Sequence, residues 1–505
     1  MKLLIIPKIV KSAYRGLLAY YRPMESGTFF PRENQISFEF ENDDYSVTVN
    51  GKECPVRACR VSAMPFNRTW PGKQRDKSQT ELASFVFFEA DEDVTLSVKV
   101  KDDFDKAVIR PLDKDVKFVR SGNEITFTLT QQGSYVLEPF GEHRVLHIFF
   151  NAVKEYPDAK KATYYFGPGL HFPGCITLRD NDTVYIDREA IVFGSLYSEG
   201  CKNVRIYGGG ILDNSNEERI VEHCYENYTK GTMRIYNSEN IRVEDIIMLN
   251  SSTWILSMFY CENVSIDGVK LVGHWRYNTD GIDIVNSSNV TIKNSFIRSF
   301  DDTITIKGIY GYPSAVENIT VDNCVLWCGW GYTLELGVET DCRQIKNVTF
   351  KNCRCIHVSN AALAIPSDHL AEIFGITYEN ISVEFQQYTC AQVYQHTDDM
   401  RFEDYVSPCR HYLAVIRNKP LSDGKTLDNP DNHSGMGNIY NIRFKNIKVY
   451  TDTEEQRPYI NVHSAIDGCE FHGVEFDGLY LNGRKQSDFS AFDVNFVNTQ
   501  DVVLK

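Results

Sequence analysis

The chain has 505 residues, of which 42% are hydrophobic, 24% charged and 12% aromatic, and it carries a formal net charge of −15 at pH 7. That composition is globular, and the length exceeds one ordinary compact domain without any low-complexity or Pro-rich linker, so two domains are expected, one of them an elongated repeat. The acidic balance disfavours nucleic acid and anionic membranes as partners, and an anionic polymer would need a local cluster of Lys and Arg to draw it in.

At the N-terminus the apolar start at residues 1–6 is interrupted by Lys8, Lys11 and Arg15, and no small-residue cleavage site follows. No signal peptide is read there, and no window approaches the roughly 18 consecutive apolar residues of a membrane span. The expected location is therefore cytoplasmic, with the 14 cysteines as reduced thiols, several serving as small hydrophobes at repeat positions. Cys353-Arg354-Cys355 lacks the spacer and the second pair of a zinc site, so no metal is expected. No cofactor is expected either, because no phosphate loop, nucleophile elbow or dinucleotide fingerprint stands in a strand-to-helix context.

From about residue 35 to 150 short alternating segments are broken by turn residues: Ser37-Phe38-Glu39-Phe40, Ser46-Val47-Thr48-Val49, Val94-Thr95-Leu96-Ser97-Val98-Lys99-Val100 and Ile125-Thr126-Phe127-Thr128-Leu129. Period-two strands at this density predict an antiparallel β-sandwich, an accessory domain over residues 1–151. Beyond it the chain repeats. Asn203-Val204-Arg205-Ile206, Asn240-Ile241-Arg242-Val243, Asn263-Val264-Ser265-Ile266, Asn289-Val290-Thr291-Ile292, Asn318-Ile319-Thr320-Val321 and Asn347-Val348-Thr349-Phe350 share one template, and weaker copies begin at Gly375, Asn441 and Gly473. Steps of 23, 26, 29 and 29 residues separate the copies from Asn240 to Asn347. No helical periodicity lies between them, so each copy closes one coil of short strands. The expected fold is all-β: the sandwich, then a right-handed parallel β-helix over 152–505 with stacked Val, Ile, Phe and Cys inside. The turn Asn fits because it tolerates left-handed dihedrals and hydrogen-bonds local backbone. A gap in the rhythm at 383–438 reads as a loop insertion walling the cleft.

Two acidic motifs occupy consecutive coils: Asn278-Thr279-Asp280-Gly281-Ile282-Asp283-Ile284 and Phe300-Asp301-Asp302-Thr303-Ile304-Thr305-Ile306-Lys307-Gly308. Aligning the inward pairs Ile282/Ile284 and Ile304/Ile306 puts Asp280 and Asp302 about 4.8 Å apart, one strand spacing, with Asp301 adjacent. Like charges crowded in this way are costly unless a proton is shared or a cation bound. Acetal hydrolysis needs one carboxylic acid and one carboxylate, and such crowding supplies both. The alternative, Asp closing a turn between strands, accounts well for Asp267 and Asp322.

Residues 275–339 resemble glycoside hydrolase family 28, the polygalacturonases, whose Asn-Thr-Asp and Asp-Asp motifs stand here at Asn278-Thr279-Asp280 and Asp301-Asp302. The sandwich looks more like the one preceding the β-helix of family 49 dextranases. The resemblance implies an inverting mechanism with Asp301 as general acid and Asp280 with Asp302 activating water. Two family elements are absent: a Gly-His, where this chain has Gly329-Trp330-Gly331-Tyr332, and an Arg-Ile-Lys that grips galacturonate, where it reads Asn360-Ala361-Ala362-Leu363.

Candidate substrate-binding residues are Asn278, Lys307, Tyr332, Trp330, His274 and Arg276, with Trp275 as a stacking ring. Lys307 should point out of the helix, to hold a uronate or hydroxyls or simply to solubilise the surface. The segment from His274 to Arg276 would form a sugar subsite or a packed coil corner. Glu335 and Asp283 should face outward, Glu335 most simply on a solvated strand face. The leading expectation is an exo-acting, polygalacturonase-like hydrolase of pectic oligosaccharides. A hydrolase of neutral α-glycans (dextranase- or isopullulanase-like), a calcium-dependent pectate lyase-like β-eliminase and a non-enzymatic β-helix are the alternatives. The sequence leaves homo-oligomerisation open.

Overall fold

The computed structural model describes residues 2–7, 42–62, 66–68, 80–217, 231–369, 371–387, 393–395, 411–418, 437–464 and 471–505. Two small sheets form the N-terminal unit. One orders Lys52–Cys54, Tyr45–Val49, Val94–Val100, Glu124–Leu129 and Phe118–Ser121, and is antiparallel throughout. The other centres on Thr80–Ala90, flanked by Leu3–Ile5, Arg57–Ser62 and Leu146–Asn151, and continues through Gly133–Glu142 to Val108–Arg110. It departs from a purely antiparallel sandwich in one pairing, Leu146–Asn151 running parallel to Thr80–Ala90. Alternation decides which face is buried: Val94, Leu96, Val98 and Val100 of one strand and Ile125, Phe127 and Leu129 of the next are sealed against Val86, Phe88, Leu146 and Ile148 of the opposite sheet. The strand expected at 37–40 lies outside the described residues.

After Leu146–Asn151 and a short 3-10 turn at Ala159–Lys161 the coils begin with Tyr164–Phe166 and continue to Val502–Leu504 in one long parallel stack. Each full coil supplies three strands. The first column carries the repeat template, and its inward residues align from coil to coil as Ile241, Val264, Val290, Ile319, Val348, Ile376, Ile442 and Val474. Asn203, Asn240, Asn263, Asn289, Asn318, Asn347 and Asn441 open it at φ between 54° and 59°, the left-handed region that Asn tolerates best after Gly. Their amides also stack: Asn318 Nδ2 donates to Asn289 Oδ1 at 3.0 Å and Asn347 Nδ2 to Asn318 Oδ1 at 3.4 Å. A second ladder closes the same strand, Asn323 donating to Asn294 at 2.9 Å, Asn380 to Asn352 at 3.1 Å and Asn446 to Asn380 at 2.7 Å.

The second column, through Ile211–Asp213, Ile247–Leu249, Phe296–Ser299, Val325–Cys328 and Arg354–His357, turns its outer face to the sandwich. Phe296, Val325, Trp327 and Ile356 pack there against Val61, Phe85, Phe87 and Phe149. A buried polar clasp crosses the same interface. Arg110 Nε donates to Glu138 Oε2 at 2.8 Å, His357 Nε2 meets Glu138 Oε1 at 2.6 Å, and Arg110 Nη1 reaches Glu384 Oε2 at 2.5 Å. Arg110 and His357 hold the Glu138 carboxyl down at about 2 although burial pushes it up; burial lifts Glu384, which lacks the histidine, to about 7.

The third column runs through Leu256–Phe259, Ile282–Val285, the start of Ile304–Asp322, the start of Leu334–Lys351, Ala361–Ser367, Tyr412–Asn418 and Tyr459–Ser464. One of these strands corrects the sequence reading. Tyr412–Asn418 sits inside the interval 383–438 taken as a loop insertion, yet it pairs as a full rung with Ala361–Ser367 and Tyr459–Ser464. Most of the remaining interval lies outside the described residues. The cysteines at Cys201, Cys261, Cys324 and Cys353 are buried thiols within the helix core, as the small-hydrophobe reading expects.

Candidate active site

The acids occupy the bend between the second and third columns. Phe296–Ser299 ends one strand and Ile304 begins the next, so Asp301 and Asp302 lie in the connection, where strict side-chain alternation does not apply. Ser299 Oγ anchors that bend, donating to the Asp301 carbonyl at 2.6 Å and contacting Thr303 Oγ1 at 3.0 Å. One coil earlier, Thr279 Oγ1 donates to the Arg276 carbonyl at 2.8 Å and fixes the turn that presents Asp280. The two bends are tied to each other: Gly281 N donates to the Asp302 carbonyl at 2.7 Å and Ile282 N to Thr303 O at 3.0 Å. With Ile282 registered on Ile304, Asp280 and Asp302 hold equivalent positions, two residues before the paired strands, in successive coils.

All three aspartates are buried. Asp301 accepts from Asn278 Nδ2 at 3.3 Å and from the Asp302 amide at 3.1 Å, and Asp302 Oδ1 accepts from the Tyr332 amide at 2.7 Å. Burial, and then the charge of Asp301, raises the Asp280 carboxyl well above its ordinary value. Asp302 is also raised by burial, but less, because Lys307 and the Tyr332 amide favour its ionised form. Gly331 closes the pocket: a Cβ there would stand 2.2 Å from Asp302 Oδ1 and 2.7 Å from Asp301 Oδ1.

Around the trio several expectations change. Lys307 points off the outer face as parity requires, but it is buried and its Nζ bonds Glu339 Oε2 at 2.9 Å, with Asp302 Oδ2 at 3.9 Å and the Trp254 ring at 4.9 Å. Burial works against its charge, yet Glu339, Asp302, Asp280 and Asp283 together raise its pKa well above the usual lysine value. Neither the solubilising role nor an open cation fits that setting. Glu335 is fully buried where a solvated strand face was expected, and Asp283, outward by parity, is fully buried too. Burial raises both carboxyls well above their ordinary values. Neither burial was legible in the alternation, which gives direction and not cover.

His274 and Arg276 favour the packed-corner reading. His274 Nδ1 accepts from the Ser251 amide at 3.4 Å and Nε2 meets the Met248 carbonyl at 3.1 Å; Arg276 Nη1 holds the Asn250 and Ser251 carbonyls at 2.6 and 3.1 Å. Trp275 is buried beneath that guanidinium, 4.9 Å from ring to charge. Trp330 stacks on Phe300 with planes 5° apart at 6.0 Å. Tyr332 contributes its amide to Asp302, while its hydroxyl accepts from Arg417 at 2.9 Å. Arg417, on the unrecognised rung, was not singled out from the sequence; Glu339 reads there only as an additional acid of the Glu335 coil, and its pairing with Lys307 at 2.9 Å was not foreseen.

Residues 170–398 match the family model described as glycosyl hydrolases family 28. Among curated proteins, the chain is 29% identical over 174 residues to a protein of Neosartorya fischeri named probable endopolygalacturonase D, covering 34% of this chain and 31% of that one. It is 27% identical over 158 residues to an exopolygalacturonase of Oenothera organensis, covering 29% and 41%. The aligned segments thus span less than half the length of these relatives. Among solved structures, Dex49A from Penicillium minioluteum superposes with a TM-score of 0.61 over 95% of this chain and 97% of its own, at 15% identity. That coverage takes in the N-terminal sheets, so the likeness expected for the sandwich holds at the level of fold. By sequence, residues 170–398 are thus similar to the glycosyl hydrolases of family 28, and the whole chain shares its fold with Dex49A.

Proposed function

We propose that this protein is an inverting glycoside hydrolase acting on α-linked oligosaccharides, with Asp301 as general acid and Asp280 and Asp302 directing the water. The observation that carries the reading is the registry of Asp280 over Asp302 with Asp301 in the same bend. Three buried carboxyls so placed hold a proton among them, since full ionisation would crowd like charges in a poorly solvated pocket. Asp280, raised by burial and by Asp301, shares that proton with Asp301, which delivers it to the glycosidic oxygen as the bond to the anomeric carbon breaks. Asp302, raised less than Asp280 and Asp283 and faced by Lys307 and the Tyr332 amide, keeps the ionised form that draws a proton from water. Water attacks the opposite face of the sugar, so the configuration inverts.

The relatives' names make galacturonide oligosaccharides the first substrates to assay, with the first released product telling cleavage at a chain end from cleavage within it. Asp301→Asn is nearly isosteric and should lower turnover by about 10²–10⁴-fold, the usual contribution of a general acid, with circular dichroism unchanged. Proton NMR of the first product should show the inverted anomer. Retained turnover in the variant, or an unsaturated ultraviolet-absorbing product that a chelator abolishes, would overturn the assignment, the second outcome in favour of elimination.

A further inference from the structure

The outer face beside the trio carries polar groups that the proton transfers do not use. Ser257, Asp283, Thr305 and Glu335 pair rung on rung, forming a file with steps of about 4.8 Å. Their strand neighbours Ile282, Ile284, Ile304, Ile306, Leu334 and Leu336 belong to the helix core, so the file faces away from it. All four are fully buried, yet Ser257 Oγ and both Asp283 oxygens have no hydrogen-bond partner among the described residues. Buried polar atoms are nearly always partnered, so unmet ones beside a reacting centre call for a partner that the chain's described residues do not supply. Asp283 belongs to that centre, since after burial the charges that act on it most are Lys307, Asp302 and Glu339.

We infer that the sugar seated over the acids is a neutral one, its hydroxyls taken by Asp283 and Ser257, and that the Lys307–Glu339 pair withholds the cation a uronate would require. The inference rests on the hydrolase reading and deepens it. A uronate would bring its charge among Asp280, Asp283, Asp301, Asp302 and Glu335, facing a lysine already bonded to Glu339 at 2.9 Å. A neutral hydroxyl donates to an ionised Asp283 or accepts from a protonated one, and burial keeps that proton available.

The full-length protein should be given two panels, oligogalacturonides and neutral α-linked gluco- and galacto-oligosaccharides. The neutral panel should show kcat/KM higher by at least about 100-fold, the scale on which misplaced like charge is rejected. Asp283→Asn should raise KM for the best neutral substrate by about 10-fold with little change in kcat, a split that a merely structural role would not produce. Glu339→Gln frees Lys307 and should raise kcat/KM on oligogalacturonides by about 10-fold. Calorimetry of neutral and acidic ligands on the Asp301→Asn protein should give the same ranking without turnover. Preference for the acidic panel in both assays overturns the inference and leaves the hydrolase reading standing. Cleavage of neither panel removes both.

Discussion

Gly331→Ala tests whether the acids work only in the geometry observed. The glycine's φ lies outside the left-handed region, so alanine meets no backbone penalty and the effect is one of space. Its new Cβ would stand 2.2 Å from Asp302 Oδ1, 2.5 Å from Asp302 N and 2.7 Å from Asp301 Oδ1, where an ordinary contact is 3.4 Å or more. Relief therefore requires the Asp302 carboxyl to retreat by about 1.2 Å, and it cannot do so by rotating alone, because the backbone amide is crowded as well and Oδ1 is held by the Tyr332 amide at 2.7 Å. The bend itself must shift, taking Asp301 with it. A displacement of about 1 Å at reacting groups costs about 10²-fold in rate. Steady-state kinetics on the best substrate should show that loss in kcat/KM, with the far-ultraviolet spectrum unchanged because no core side chain of the coil is altered. Activity within about 3-fold of the parent would show that the acids tolerate movement a preorganised site does not allow, and the geometric argument would fail.

Two further predictions concern stability. Glu138→Ala removes the carboxylate that Arg110 and His357 share in the buried clasp and should cost about 3–5 kcal/mol, read as a lower urea midpoint of the full chain at pH 7; an unchanged midpoint would mean the clasp contributes nothing. Because Arg110 and His357 hold Glu138 at about 2 against burial, its contribution is present above the ordinary glutamate value and is lost as pH falls from about 4.5 toward 2, so parent and variant melting temperatures should converge over that window. Asp283 has the opposite sign. Burial raises its carboxyl, so its contribution is full below the ordinary aspartate range and is lost as pH rises through the raised folded value. Asp283→Asn should accordingly gain in melting temperature over the parent as pH increases, and a variant less stable than the parent at pH 8 would contradict the unmet burial of that carboxylate.

What the sequence disclosed and what it concealed divide along physical lines. The coils are legible because one residue type does two jobs at one position: Asn240, Asn289 and Asn318 each take a left-handed φ and each enter the amide stack, so the fold repeats the letter as well as the pattern. The equivalent placement of Asp280 and Asp302 follows from the same regularity, since inward pairs two residues later fix the register. The rung at Tyr412–Asn418 escaped notice because its strand, Leu413-Ala414-Val415-Ile416, is apolar on both faces and begins without a turn Asn, so nothing but spacing distinguishes it from any buried strand. Site chemistry was concealed for a different reason. Alternation assigns Asp283, Lys307 and Glu335 to the outer face, but whether that face is open depends on chain far away in sequence, as does the partner each finds. Lys307 shows the consequence: from its own coil it reads as a cation available to substrate, and Glu339, 32 residues on, turns it into half of a buried pair. On the proposed reading, a motif specifies where the proton is transferred while the next coil decides which sugar is admitted to receive it.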